Sequence, residues 1–411
     1  MSSTETTKAQ PPLEDVRVLD VTHHIAGPYC TKLLADYGAE VIKVERPSCG
    51  DAARRVGPFL HDSPHLERSG LFLHLNTNKK SVTLDLGTAT GARLFKELAT
   101  QADIVVENFR PGVMWRFGLS YEELSKVNPD LIMVSISNFG QSGPYRDFKA
   151  TELVAYAMGS TMDSTGVPDR EPLKLGLTVV QFQAGNMAAA ATMGAFYGNR
   201  SCGAGQHVDV SIMECQLASV DRSGPSLVSV AYSGNPTFVR TFARRFSIMP
   251  FGVYPCADGY VHFTAAQKAW WPKFCKLIGM PELTDDPLYS TDETFNDLSK
   301  APEIDAMFLP WVLQHTKQEV TTLAADLAGT PVNTTQDLFR DPHFKARGFF
   351  VPVEHPVAGN ALYPGAPFRM TSTPWKAGRA PTLGEHNQEI YAGRLGLSEQ
   401  DLTRLRQTGI V

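Results

Sequence analysis

Val16-Arg-Val-Leu-Asp-Val-Thr-His-His-Ile-Ala-Gly-Pro28, followed one helical stretch later by Glu40-Val-Ile-Lys-Val44, decides the fold. Val16 to Val21 is a short apolar run that reads as a strand. From Pro28 to Tyr37 the residues Cys30, Leu33, Leu34 and Tyr37 fall at helical spacing, and Gly38 suits the left-handed residue that closes a helix. Glu40 to Val44 is the next strand. The scheme returns in Val82-Thr-Leu-Asp-Leu86, a helix from Gly91 to Gln101, and Asp103-Ile-Val-Val-Glu107. A helix near Tyr121 to Val127 and the strand Leu131-Ile-Met-Val-Ser135 continue it. Strands alternating with helices of about ten residues build an α/β fold on a mainly parallel sheet.

Asp20 and Glu45 stand at strand ends, as the acids of a dinucleotide fold do. The first turn, Thr22 to Pro28, has no GxGxxG, however, so the phosphate cradle of that fold is absent and no nicotinamide or flavin site is expected. His23-His24 is not expected to hold a metal either. Adjacent residues at a strand end point to opposite faces, and no carboxylate or cysteine clusters with them in sequence.

Further along, a helix rich in Ala, Gly and Met runs from Gly185 to Asn199, and Gln206 to Ile212 is a strand leading into another helix. Composition then shifts at Ser223-Gly-Pro225 and Gly234-Asn-Pro236. Asp258-Gly259 is a hairpin-type turn between Val253-Tyr254 and Tyr260-Val-His-Phe263. The reading is a polar, disordered N-terminus over 1–12, a large domain from 13 to 224, and a smaller α+β domain over 225–330. A loop-rich tail over 331–411 ends in a short helix near Ser398 to Gln407. Trp270-Trp271, with Phe263 and Phe274, reads either as small-domain core or as a lid over an aromatic substrate.

At 411 residues the chain is long enough for two domains with real cores. A net charge of −5 and a pI near 6.1 argue against a nucleic-acid or anionic-membrane partner. The N-terminus has no apolar signal core, and no stretch has the 18 or so apolar residues a bilayer span needs. Six scattered cysteines without a CxxC pair suit free thiols in a reducing compartment. A cytoplasmic protein is expected.

Several strings in order resemble the class III CoA-transferase family, which contains formyl-CoA transferase, carnitine CoA-transferase and the α-methylacyl-CoA racemases. They are Val18-Leu-Asp-Val-Thr-His-His-Ile-Ala-Gly-Pro28, Asp36-Tyr-Gly-Ala-Glu-Val-Ile-Lys-Val-Glu-Arg-Pro47 and Asn76-Thr-Asn-Lys-Lys-Ser-Val-Thr-Leu-Asp85. Asp103-Ile-Val-Val-Glu-Asn-Phe-Arg-Pro-Gly112, Ser137-Asn-Phe-Gly-Gln-Ser-Gly-Pro-Tyr145, Gly203-Ala-Gly-Gln-His-Val-Asp209 and Ala380-Pro-Thr-Leu-Gly-Glu-His386 complete the set. The resemblance implies a Rossmann-like large domain built from both chain ends, so that 331–411 returns to it, with the small domain between. It also implies two chains threaded as interlocked rings.

It implies, too, a CoA thioester and a small carboxylic acid as substrates, with no metal. His23, Ile25, Ala26, Asn78, Lys79, Asn108, Phe109 and Arg116 fall at family CoA-contact positions. Lys79, Lys80, Arg110 and Arg116 are cations of the kind phosphates need, and Asn108 and Phe109 add a hydrogen bond and a flat face. Without the family the same residues read as solvated cations and a core Phe. Ile25 departs from formyl-CoA transferase, which has a polar amide there.

In the transferases an aspartate attacks the thioester to give a mixed anhydride, and CoA thiolate returns to make an enzyme thioester. Keyed on Gly185, that aspartate's position is Gln181, within Leu177-Thr-Val-Val-Gln-Phe-Gln-Ala-Gly185. A neutral amide has no route to a reversible anhydride, and nothing acidic lies between Glu171 and Asp209. Asp163, Asp169 and Glu171 are far upstream. The racemase pair of His and Asp is absent too, because its His position falls near Thr151. Glu152 matches a family acid read as structural.

The expectation is therefore a non-nucleophilic subunit of a heteromeric CoA-transferase, inactive alone, with a paralogous partner carrying the aspartate. Such pairing resembles the benzylsuccinate CoA-transferase branch, in which succinyl-CoA activates an aryl dicarboxylate. Two alternatives stand beside it. One is an active homodimer working by direct transfer or a substituted nucleophile; the other is a non-catalytic CoA-binding or scaffold protein.

Overall fold

Six strands form one sheet: β1 Arg17–Asp20, β2 Glu40–Glu45, β3 Lys80–Thr83, β4 Ile104–Glu107, β5 Ile132–Ser137 and β6 Gln206–Ser211. The computed structural model describes residues 10–219, 223–237, 239–240 and 246–411. The polar N-terminal stretch read as disordered lies, over 1–9, outside the described residues. Strand order is β3-β2-β1-β4-β5-β6 with every pairing parallel, the order of a doubly wound Rossmann sheet.

Parallel strands are buried on both faces, and this is why they read as continuous apolar runs. Val18, Val41, Ile104 and Val134 face the helices Ala26–Asp36 and Val179–Cys202, meeting Cys30, Leu34, Ala184 and Ala188. Their neighbours Leu19, Ile42, Val105 and Met133 face the other side, against Leu94, Phe95 and Leu98 of helix Ala89–Ala99. The strand alternation thus sorts two separate cores.

Two positions differ from the sequence reading. β3 begins at Lys80 and ends at Thr83, earlier than Val82 to Leu86. The long helix begins at Val179, not at Gly185. It packs on helix Ala26–Asp36 so closely that a Cβ on Gly185 would lie 2.7 Å from the Ala26 carbonyl oxygen.

Late residues of the chain finish the second core. Asn387 Oδ1 accepts the Thr83 N–H at 2.8 Å, the Tyr391 hydroxyl donates to the Thr83 carbonyl at 2.9 Å, and Ile410 O accepts the Asp85 N–H at 2.8 Å. The tail is not all loop. β10 Phe350–His355 and β11 Gly359–Pro364 pair antiparallel.

Two compact units result: Met1–Gly166, Arg170–Arg240 and Gly348–Val411 in the larger, Val167–Asp169 and Thr241–Arg347 in the smaller. The composition shift had placed the small domain over 225–330. In the smaller unit β7 Phe251–Cys256, β8 Gly259–Thr264 and β9 Gly329–Pro331 form an antiparallel sheet. The β7–β8 turn is Ala257-Asp258, since Cys256 pairs with Gly259. Trp271, Phe274, Phe263 and Phe308 are buried in its core, and the Trp271 indole donates to Leu283 O at 3.0 Å. For Trp271 the core reading holds. Among the described residues no helix is long and apolar enough to cross a membrane.

Candidate active site

In a doubly wound sheet the strand order reverses between β1 and β4, and ligands bind in the crevice at the carboxyl ends there. His23 to Ala26 leave β1, and Asn108 to Gly112 leave β4. The two loops are clamped together. Asn108 Oδ1 accepts the His23 N–H at 2.8 Å, and Asn108 Nδ2 donates to His23 O at 2.8 Å. His24 takes a left-handed conformation, φ 66°, and its N–H is held by Asp51 Oδ1 at 3.0 Å. That turn breaks strand alternation. The two imidazoles lie 5.1 Å apart and share a cavity wall, contrary to the expectation that they face opposite ways.

Beneath the loop lies a buried ion network. Asp20 accepts from Thr22 N–H at 2.8 Å, Thr31 Oγ1 at 2.6 Å and Lys79 Nζ at 3.0 Å. Burial opposes its charge, but Lys43 and Lys79 overcome this and hold the carboxyl below its ordinary range. Lys43 also pairs with Asp51 at 2.9 Å. Burial pushes the His23 pKa down to about 4, so its ring is neutral at physiological pH. Glu45, at the end of β2, is taken by Arg54 at 2.7 and 2.8 Å. Neither strand-end acid is free to bind a ribose.

Two cavities flank this clamp. The larger, about 670 Å3, is lined by His23, His24, Ile25, Phe109, Arg116 and Gln181, together with Asn108, Arg110, Arg146 and Glu152. The smaller, about 500 Å3, is lined by Arg46, Arg55, Leu86, Phe109 and Phe117, and it shares His23 and Phe109 with the larger. Phe109 stands 5.4 Å from His23 and 6.3 Å from Phe117, centroid to centroid. Among the described residues no group of three or more His, Cys, Asp or Glu could hold a metal ion.

Of the residues singled out in the sequence, His23, Ile25, Asn108, Phe109, Arg116 and Gln181 come together on one wall. Three do not. Ala26 is fully buried as the first residue of its helix. Lys79 is buried, and its ammonium is saturated by Asp20, Pro28 O, Thr31 Oγ1 and Asn76 Oδ1 at 2.8–3.0 Å, so it has no donor for a phosphate. Burial drops its pKa to about 8, against the opposing pull of Asp20. Asn78 turns its amide to Asp36 Oδ1 at 2.7 Å and Lys376 O at 3.3 Å. Lys80 pairs with Glu40 and Glu389. The sequence reading missed Arg46, Arg55 and Arg146. The rule that ligands sit at strand carboxyl ends picks out Arg46, the residue after β2.

Gln181 stands in the first turn of helix Val179–Cys202. Thr178 makes no side-chain cap there. Glu152, from helix Glu152–Met158, does it instead, accepting the Val180 N–H at 2.9 Å and the Gln181 N–H at 3.3 Å. A carboxylate on the amino end of a helix also meets its positive dipole.

A doubly wound sheet with two adjoining cavities at its switch point, the larger rich in arginine and the smaller mixing Arg46 and Arg55 with Glu45, Asp51 and Asp85, defines a ligand-binding α/β protein. The comparisons narrow that class: residues 13–387 match CoA-transferase family III, and the chain belongs to this family. It is 36% identical over 408 residues to succinyl-CoA–D-citramalate CoA-transferase of Chloroflexus aurantiacus, covering 97% of this chain and 98% of that one. It is 32% identical over 396 residues to succinate–glutarate CoA-transferase of Agrobacterium fabrum, covering 95% and 97%. A solved CAIB/BAIF family protein from Brucella suis superposes with a TM-score of 0.82 at 30% identity, covering 93% of this chain and 99% of that one. The family is enzymatic, and its substrates are a CoA thioester and a carboxylic acid.

Proposed function

We propose that this chain is the non-nucleophilic subunit of a heteromeric class III CoA-transferase, acting with a paralogous subunit that carries the catalytic aspartate. One observation supports the reading: Gln181 lines the larger cavity from the first helical turn, and the family resemblance puts the catalytic aspartate at that position. Glu152 is no ready substitute, because both its oxygens already accept helix N–H groups. The donor is succinyl-CoA and the acceptor an aryl dicarboxylate such as benzylsuccinate. Succinyl-CoA and glutarate in the names of two relatives support a dicarboxylate class.

CoA enters with its nucleotide end in the smaller cavity. Arg46 and Arg55 supply charge for phosphates, and Phe109 and Phe117 supply apolar surface for adenine. The pantetheine arm then passes His23 and Phe109, the residues common to both cavities, toward Gln181. His23, Ile25, Asn108 and Arg116 line that path.

Native mass spectrometry tests this. The chain is purified alone and with its co-expressed paralogue, treated with succinyl-CoA, and the subunits are weighed after denaturation. A CoA adduct on the paralogue alone supports the division of labour. A homodimer that itself gains the adduct overturns it and turns attention to Glu152, the carboxylate touching Gln181's own turn.

A further inference from the structure

We infer that Arg146 and Phe148, presented on one turn after β5, read the second carboxylate and the apolar body of the acceptor acid. The larger cavity carries the guanidinium groups of Arg110, Arg116 and Arg146 on its wall. Among the described residues none of the three has an ion-pair partner. The acids on the same wall do not pair with them: Asp147, exposed as the three arginines are, makes no ion pair among the described residues, and Glu152 is committed to the helix N–H groups. A cavity with unpaired arginines selects an anionic ligand, and a guanidinium fits a carboxylate in two-point fashion.

The turn is built to hold its shape. Arg146 N–H bonds to Gly143 O at 3.3 Å and Phe148 N–H to Tyr145 O at 2.9 Å. Phe139, itself buried, staples it, with ring centroids 5.9 Å from Tyr145 and 6.4 Å from Phe148. Arg146 Nη2 comes within 3.7 Å of where a Cβ on Gly112 would stand, so its guanidinium lies beside the Arg110–Gly112 backbone. Phe148 is 55% exposed although it lines the cavity, which leaves an aromatic face for an apolar ligand. On the same wall Ser137 Oγ is buried without a hydrogen-bond partner, a donor left over for an acid oxygen. Charge, flat apolar face and spare hydroxyl on one wall match an aryl dicarboxylate better than a short or monobasic acid.

The inference rests on the transferase reading for the kind of ligand, but its test needs no turnover. The full chain is titrated calorimetrically with phenylsuccinate and with 3-phenylpropanoate, which lacks one carboxylate, with and without saturating CoA. The native chain is expected to prefer phenylsuccinate by about ten-fold. Arg146→Met should bring the two acids within about two-fold of each other, whereas Arg146→Lys keeps part of the gap. Phe148→Ser should weaken both aryl acids and bring phenylsuccinate down to the affinity of succinate. Equal affinities in the native chain, no binding of either acid, or a gap that survives Arg146→Met overturns the inference. If the acids discriminate as expected but no CoA adduct forms on any subunit, the transferase reading fails while this one stands. If an adduct forms on the paralogue but the acids are not discriminated, the reverse holds.

Discussion

Glu152 lies across the amino end of the helix that carries Gln181, accepting the Val180 N–H at 2.9 Å and the Gln181 N–H at 3.3 Å. The helix borrows its cap from another helix, and the borrowed carboxylate is what fixes the Gln181 backbone at the cavity wall. Glu152→Ala should cost about 1–2 kcal/mol in urea unfolding. Glu152→Gln, which keeps an acceptor oxygen, should cost less. Amide exchange at Val180 and Gln181 should quicken in Glu152→Ala; unchanged exchange there would mean the cap is dispensable.

Gln181→Asp returns an anionic oxygen to the first turn. The variant alone, treated with succinyl-CoA, is expected to gain a CoA-sized adduct that the native chain lacks, at low occupancy because Glu152 places a like charge beside it. Denaturing mass spectrometry with peptide mapping reads the result, and complete absence of adduct would show that more than the carboxylate has been lost.

Lys79 and Arg116 were both read as cations for a phosphate, and they should part company under mutation. Lys79→Met strands Asp20 in a buried site with one cation fewer, a loss of about 3–5 kcal/mol. Arg116→Met, at an exposed residue, should leave the unfolding midpoint nearly unchanged and weaken CoA binding. A soluble, fully stable Lys79→Met would contradict the saturated ammonium.

Glu107 links stability to pH. Burial raises its pKa to about 7, partly offset by hydrogen bonds from Ser135 and the Phe109 N–H. Because the folded pKa lies above the unfolded one, the native state binds the extra proton. The contribution is full below about pH 4.5 and is lost as pH rises through 7, up to about 3 kcal/mol. Glu107→Gln mimics the protonated form, so urea midpoints measured from pH 5 to 8 should fall less steeply in the variant than in the native chain.

Gly185 is where the long helix touches its neighbour. A Cβ there would meet Ala26 O at 2.7 Å and Tyr29 Cδ1 at 3.0 Å. Gly185→Ala should therefore destabilise by about 1–3 kcal/mol despite its better helix propensity. Asn186→Ala, one residue along on the exposed side, serves as the control in the same unfolding series.

The sheet was legible because its strands are buried on both faces and its helices carry their own spacing. Legibility failed where structure depends on distant partners. The long helix opens in Thr178-Val179-Val180, a β-branched run without a local cap, and the carboxylate that starts it is Glu152. The hairpin Phe350–His355 with Gly359–Pro364 hid behind Pro352 and Pro364. Within the candidate site, position along the chain could not separate a buried lysine from a solvated one. Lys79 and Lys80 are adjacent, yet one is saturated inside the protein and the other pairs at its surface. Gln181 was read as a departure from the family pattern, but what its wall contains besides, Arg146 above all, needed three dimensions.

The segment Gly348–Val411 supplies Asn387, Tyr391 and Ile410 to the end of β3. On the ribosome every residue of Thr241–Arg347 emerges before any of these. The smaller unit can therefore fold while synthesis continues, whereas the larger sheet waits with Leu19, Val82 and Val105 lacking the cover of Ile390 and Tyr391. The nascent chain thus carries an unfinished apolar sheet at least for as long as Thr241–Arg347 takes to translate, an interval in which its exposed strands are open to chaperones.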